Sequence, residues 1–170
     1  AVLSDGSVAV CGEGLLAGVQ LRTVARFDGV AWTSMGLQMD QATSTMTPLP
    51  NGGLLAGGAR NPSSLLPSSV ARWNGTAWQY LGNAATQDVP YAVADVAVLA
   101  DGSPVVIGGF YSPFPLTTGA IARFDGTAWQ RLTGGDLPAS PIALAPLPDG
   151  DLLVAGQARL VTTSRVARWN

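Results

Sequence analysis

Short apolar runs alternate with turn signals along the whole chain, and the same punctuation returns four times. Leu3-Ser4-Asp5-Gly6, Leu49-Pro50-Asn51-Gly52, Leu99-Ala100-Asp101-Gly102 and Leu147-Pro148-Asp149-Gly150 each precede an apolar run that reaches a glycine, namely Gly12, Gly58, Gly108 and Gly156. All four glycines fall seven residues after the Asp or Asn. A second motif follows in each unit: Val24-Ala25-Arg26-Phe27-Asp28-Gly29, Val70-Ala71-Arg72-Trp73-Asn74-Gly75, Ile121-Ala122-Arg123-Phe124-Asp125-Gly126, and Val166-Ala167-Arg168-Trp169-Asn170. In the first three units a tryptophan follows, at Trp32, Trp78 and Trp129. The four arginines are spaced 46, 51 and 45 residues apart, an internal repeat with a period near 48.

Each motif predicts a β-hairpin, because Asp-Gly or Asn-Gly between alternating apolar segments supplies the positive φ angles of a tight primed turn. In the third repeat this places strand A at Ala97 to Ala100, B at Pro104 to Gly109, C at Ala120 to Phe124 and D at Thr127 to Leu132. No helical period of useful length occurs. Four antiparallel strands per unit at this period are the mark of a propeller blade, so the sequence predicts an all-β array of four such blades. The blades divide at residues 1–42, 43–91, 92–140 and 141–170 within a single repeat domain, 1–170.

These residues resemble the kelch repeat, in which an apolar strand ends in paired glycines and is followed by an aromatic before a turn and then a Trp. The matches are Gly57-Gly58 and Gly108-Gly109, the aromatics Phe27, Trp73, Phe124 and Trp169, and Trp32, Trp78 and Trp129. Cys11 and Ala155 depart from the pattern at the first glycine, and Phe or Trp replaces the usual Tyr. The resemblance implies a kelch-like β-propeller that closes with more than four blades. Four blades then form an open arc or partial propeller, and the fourth lacks its outer strand, since the sequence stops at Asn170. The opening at Ala1, inside a strand-like pattern, predicts a chain cut from a longer one. Each end face of such an arc presents roughly 380 Å² of apolar surface, as large as the biggest patch on an ordinary monomer. The expected partner is a second copy, as a homodimer, or further blades of a parent chain.

Composition narrows the chemistry. The 170 residues carry 9 basic and 11 acidic side chains, a net charge of -2, with no His. Every basic residue is Arg, Glu13 is the single Glu and Cys11 the single Cys. Proton-shuttling and nucleophilic groups are therefore scarce, and no basic strip exists for nucleic acid or anionic lipid. The expectation is a non-enzyme with no cofactor or metal; a fragment resembling the kelch-containing copper oxidases would need His ligands. No apolar run reaches the roughly 18 residues of a membrane helix. Cys11 lies in a strand pattern with no neighbouring cation and reads as a small buried thiol. The cellular compartment is not encoded.

The repeated aromatics and tryptophans read as fillers between blades. Arg26, Arg72, Arg123 and Arg168 would suit an anion channel, but a mid-strand Arg beside an Asp-bearing turn is better explained as a tether between blades. The turn aspartates favour Asp for backbone reasons more than for calcium. The A-B and C-D turns share one rim. The opposite rim carries long connections, at 13–23, 37–46, 59–69, 83–95, 110–119, 134–144 and 157–165, and function is expected there. Phe110, Tyr111 and Phe114, with Tyr91, Asp88 and Asp136 nearby, form its aromatic and acidic cluster, suited to a glycan or a proline-rich or basic peptide. The leading expectation is a non-catalytic interaction scaffold that self-associates; the alternative is a carbohydrate-binding module on this rim.

Overall fold

The two kinds of repeated turn reverse the chain differently. At the first, Gly6 N–H donates to Leu3 O at 3.0 Å and Leu3 N–H to Ser7 O at 2.8 Å, a three-residue loop with Gly6 at φ 82°. The same pair of bonds recurs at Leu49, Leu99 and Leu147. This is the longer hairpin loop closed by a left-handed glycine, not the two-residue primed turn expected. At the second kind, Gly29, Gly75 and Gly126 stand first in two-residue loops at φ 101–106°. There Asp28 Oδ1 accepts from the N–H groups of Val30 and Ala31, and Asn74 and Asp125 do the same one and two repeats later.

The computed structural model describes residues 1–16, 18–21, 24–37, 39, 41–59, 65–83, 89–111, 117–132, 140–157 and 166–169. It is all-β, with no helix among the described residues. Sheet I orders β1 (Val8–Cys11), β4 (Val24–Phe27) and β5 (Trp32–Ser34), with Val2 bridged to Val8. Sheet II orders β6 (Thr43–Pro48), β7 (Leu54–Gly58), β8 (Val70–Trp73) and β9 (Trp78–Tyr80). Sheet III repeats this with β10 (Val89–Val98), β11 (Pro104–Tyr111), β12 (Thr117–Phe124) and β13 (Trp129–Leu132). Sheet IV has β14 (Ser140–Pro146), β15 (Leu152–Gln157) and β16 (Val166–Trp169). A separate hairpin, β2 (Gly14–Leu16) and β3 (Val19–Leu21), occupies the stretch expected to be a loop at 13–23. All pairings are antiparallel, and among the described residues no sheet closes on itself.

Both limits of β10 differ from the sequence expectation. β10 starts at Val89, so the repeat boundary drawn at 91/92 falls inside it, and much of the connection expected at 83–95 is strand. Leu99 and Ala100, assigned to that strand, belong to the turn. The cause is a pair of bulges between Pro90 and Ala92 and between Val93 and Asp95, which break the period-two alternation that marks a strand. β6 and β14 carry a bulge at the equivalent place. The register also pairs Gly58 with Thr43 and Gly108 with Val93, so Gly108 is the counterpart of Gly58 and Ile107 that of Gly57. The glycine pairs at 57–58 and 108–109 are therefore offset by one residue. A Cβ on Gly108, whose φ is 156°, would stand 2.0 Å from the Ala92 carbonyl oxygen across the bulge.

Packing follows from two apolar faces per sheet. On β7, Leu54 and Ala56 enter a cluster with Leu3, Ala9 and Val24 of sheet I, while Leu55 joins Val93, Val96 and Val106 of sheet III. Val105, Ile107 and Ile121 face the other way, onto Leu152 and Val154 of sheet IV. Residues that alternate along one strand are thus buried on opposite sides, and fully burying each such Val or Leu is worth about 1.5–3 kcal/mol. Close approach is set by Gly57, where a Cβ would lie 2.6 Å from Val93 Cγ1 of the next sheet.

Candidate functional site

The strand that carries Val-Ala-Arg fixes where its arginine reaches. Arg26, Arg123 and Arg168 lie across from Ala9, Val105 and Leu153, two residues from the start of the partner strand's turn. Arg26 donates to Asp5 Oδ2 and, through Nε at 2.9 Å, to Ser7 Oγ. Arg123 donates to Asp101 Oδ2 and at 3.1 Å to Ser103 Oγ, and Arg168 to Asp149 and Asp151. Each clamp closes inside one sheet, whereas the sequence reading placed it between neighbours. The reason is topological: the nearest carboxylate to a guanidinium near the end of strand C is the A-B turn at the end of hydrogen-bonded strand B. These pairs are about half exposed, so water and salt screen them and their main effect is on orientation. Arg72 differs. Asn51 and Gly53 stand where the other repeats carry Asp and Ser or Asp, and among the described residues Arg72 has no ion pair.

Hydrogen bonds from the turns hold several carboxylates below their ordinary value of 3.8. The Ser7 hydroxyl and N–H act on Asp5, and the Ser103 N–H and hydroxyl act on Asp101. The N–H groups of Ala31 and Val30 act on Asp28, and those of Ala128 and Thr127 on Asp125. A carboxylate whose pKa is lower folded than unfolded stabilises the fold above the unfolded value, and that contribution is lost as pH falls through the folded value. The thermal midpoint is expected to be flat from pH 7 to about 5 and to fall progressively below about pH 4. Circular-dichroism melts across this range check it, and a midpoint unchanged down to pH 2.5 contradicts it.

The tryptophans join sheet to sheet. Trp32, Trp78 and Trp129 lie directly across from Phe27, Trp73 and Phe124, with ring centroids 5.1, 5.4 and 5.2 Å apart. Trp78 Nε1–H donates to Met35 O of sheet I at 2.9 Å, and Trp129 Nε1–H to Leu81 O of sheet II at 2.8 Å. Each acceptor lies three residues beyond the preceding repeat's Trp, so one bond recurs at successive interfaces. Trp169 packs partly buried against the cluster between sheets III and IV.

No family model, curated protein or solved structure matches the chain.

Of the expected aromatic and acidic rim cluster, the structure describes the side chains of Phe110 and Tyr91. Phe110 is 0% exposed and belongs to the core between sheets II and III, with the Arg131 guanidinium carbon 5.1 Å from its ring centroid. It sits there because β11 runs on to Tyr111, two residues past the predicted strand end, so Phe110 is a strand position and not a loop tip. Tyr91 is half-buried and its ring lies over Gly109, where an added Cβ would meet Cε1 at 2.6 Å. Tyr111 is placed by its backbone, at the end of β11 and across from Val89. Phe114, Asp88 and Asp136 lie outside the described residues.

That rim does hold a cavity of about 530 Å³ between β6, β7 and β10, lined by Glu13, Met39, Gln41, Ser44 and Ala92. Ser44, at the bulge of β6, donates to Val93 O of the next sheet at 3.0 Å. Asp95 makes the wider link: Oδ1 accepts from Thr45 Oγ1 of sheet II at 2.9 Å, and Oδ2 from Leu144 N–H of sheet IV at 2.8 Å. Sequence reading passed over both residues because neither recurs in the repeat; a polar residue inside an otherwise apolar strand was the available signal for Asp95.

Proposed function

We propose that the chain is a non-catalytic propeller-type scaffold that binds a second copy of itself through the faces of its terminal sheets. The recurring Trp Nε1–H to carbonyl bond carries this reading, because it repeats one docking geometry from interface to interface. First strands β6, β10 and β14 are joined through Asp95, which supports reading them as the inner strands of a propeller. The scarcity of proton-transfer and nucleophilic side chains argues for a binding role.

Self-association is supported by position-matched exposure. Val24, Val70 and Ile121 are 0–1% exposed, while Val166, the same residue of the motif in sheet IV, is 57% exposed. In sheet I, Trp32 is half-buried and stands outside the cluster shared with sheet II. At roughly 380 Å² per face, one face-to-face contact buries about 760 Å² and two bury about 1,500 Å², so only the doubly paired dimer reaches the size of a stable interface. Light scattering at about 100 μM, well above a micromolar Kd, is expected to give twice the 17.4 kDa chain mass. A chain that stays monomeric at that concentration, or whose association survives Val166→Arg, overturns the proposal.

A further inference from the structure

Arg72 is the repeat arginine whose own turn offers no carboxylate, and the reason lies in sequence: Asn51 occupies the position of Asp5, Asp101 and Asp149. Its side chain instead lines a cleft of about 270 Å³ between sheet II and the turns of sheet III. The facing wall carries Asp101, already joined to Arg123, and Asp125, whose Oδ1 caps the C-D turn. Neither carboxylate pairs with Arg72 among the described residues; Arg123 already offsets the charge of Asp101, so the cleft sets Arg72 apart from Asp125, which has no ion pair among the described residues and whose Oδ2 accepts from Gln130 Nε2 at 3.1 Å. Leu81, Pro104 and Phe124 complete it with apolar surface.

A ligand with only negative charge would meet Arg72 but be opposed by Asp125, and a simple amine would meet the reverse. A molecule presenting both groups a few ångströms apart satisfies both walls. Arg is suited to the carboxylate because its planar fork donates two parallel hydrogen bonds. We propose that this cleft binds a small zwitterion of the α-amino acid class, with the carboxylate on Arg72, the ammonium toward Asp125 and Asp101, and a small side chain against Leu81 and Phe124. The site is independent of the terminal sheet faces, so it stands or falls separately from self-association.

The test is a titration of the isotope-labelled chain with L-alanine, sodium acetate and ethylamine hydrochloride, following the Arg Nε–Hε signals by NMR. L-alanine is expected to shift the Arg72 signal saturably, with acetate and ethylamine each at least about tenfold weaker, the loss of one of two ionic contacts. Asn51→Asp restores the clamp found in the other repeats and should abolish the response while leaving the remaining spectrum in place; Arg72→Gln should abolish the shifts that L-alanine induces in the Gly102 and Gly126 amides. No saturable shift in the native chain, an equal response to acetate alone, or a response that survives Asn51→Asp each overturns the proposal.

Discussion

Trp129→Ala is expected to lower the unfolding free energy by about 3–5 kcal/mol, the range for emptying a buried aromatic site. Trp129 is 5% exposed and packs in the cluster shared by sheets II and III, so the cavity would open at the interface and not inside one sheet. Trp129→Phe separates the two contributions. It keeps much of the apolar area but leaves the Leu81 carbonyl without its donor, at a cost of about 1–3 kcal/mol. Trp32→Ala is the internal comparison. The same residue of the repeat, half-buried and with no indole hydrogen bond to another sheet among the described residues, should cost distinctly less than Trp129→Ala. Urea unfolding followed by circular dichroism measures all three. Equal losses for Trp32→Ala and Trp129→Ala would show that the tryptophans stabilise their own hairpins and not the stacking of sheets.

That comparison bears on how far the fold was readable in the residues. The repeat was legible because its parts are local: Asp-Gly and Asn-Gly turns, Val-Ala-Arg strands and the cross-strand pair Phe124 with Trp129 are set by neighbours within about ten residues. The strands that escaped are those with bulges. Val89 to Asp95 loses its alternation twice, which hid most of β10 and made a loop of what is strand. Phe110 reads as a loop residue for a related reason, since two residues of β11 beyond the glycine pair carry it into the core. The arginine clamps had the right chemistry but the wrong reach. Spacing along the chain does not say whether a guanidinium turns to its own hairpin or to the next sheet; the register of Arg123 with Val105, beside Asp101, decides it. Arg72 shares its motif with the other three, and Asn51 is the residue that sets it apart.

Asp95→Ala is expected to cost about 2–4 kcal/mol and to change the manner of unfolding as well as its midpoint. The carboxylate accepts from Thr45 Oγ1 on one side and from Leu144 N–H on the other, so its removal strips partners from two neighbouring sheets at once. Leaving each part-buried donor unpaired costs about 1–3 kcal/mol, partly offset where water reaches it. Asp95→Asn should be milder, because its single amide oxygen can serve one neighbour while its NH₂ group cannot accept from the other. Stability in a stack of repeats is the sum of each unit and its nearest-neighbour interfaces, so weakening two interfaces at one residue uncouples units that otherwise unfold together. Hydrogen exchange then distinguishes the outcomes. In the native chain, amides of β11 and β15 should exchange with similar free energies; in Asp95→Ala those of β15 should become less protected than those of β11. Loss of protection spread evenly over sheets II, III and IV would mean that apolar packing alone couples them, with Asp95 contributing only locally to β10.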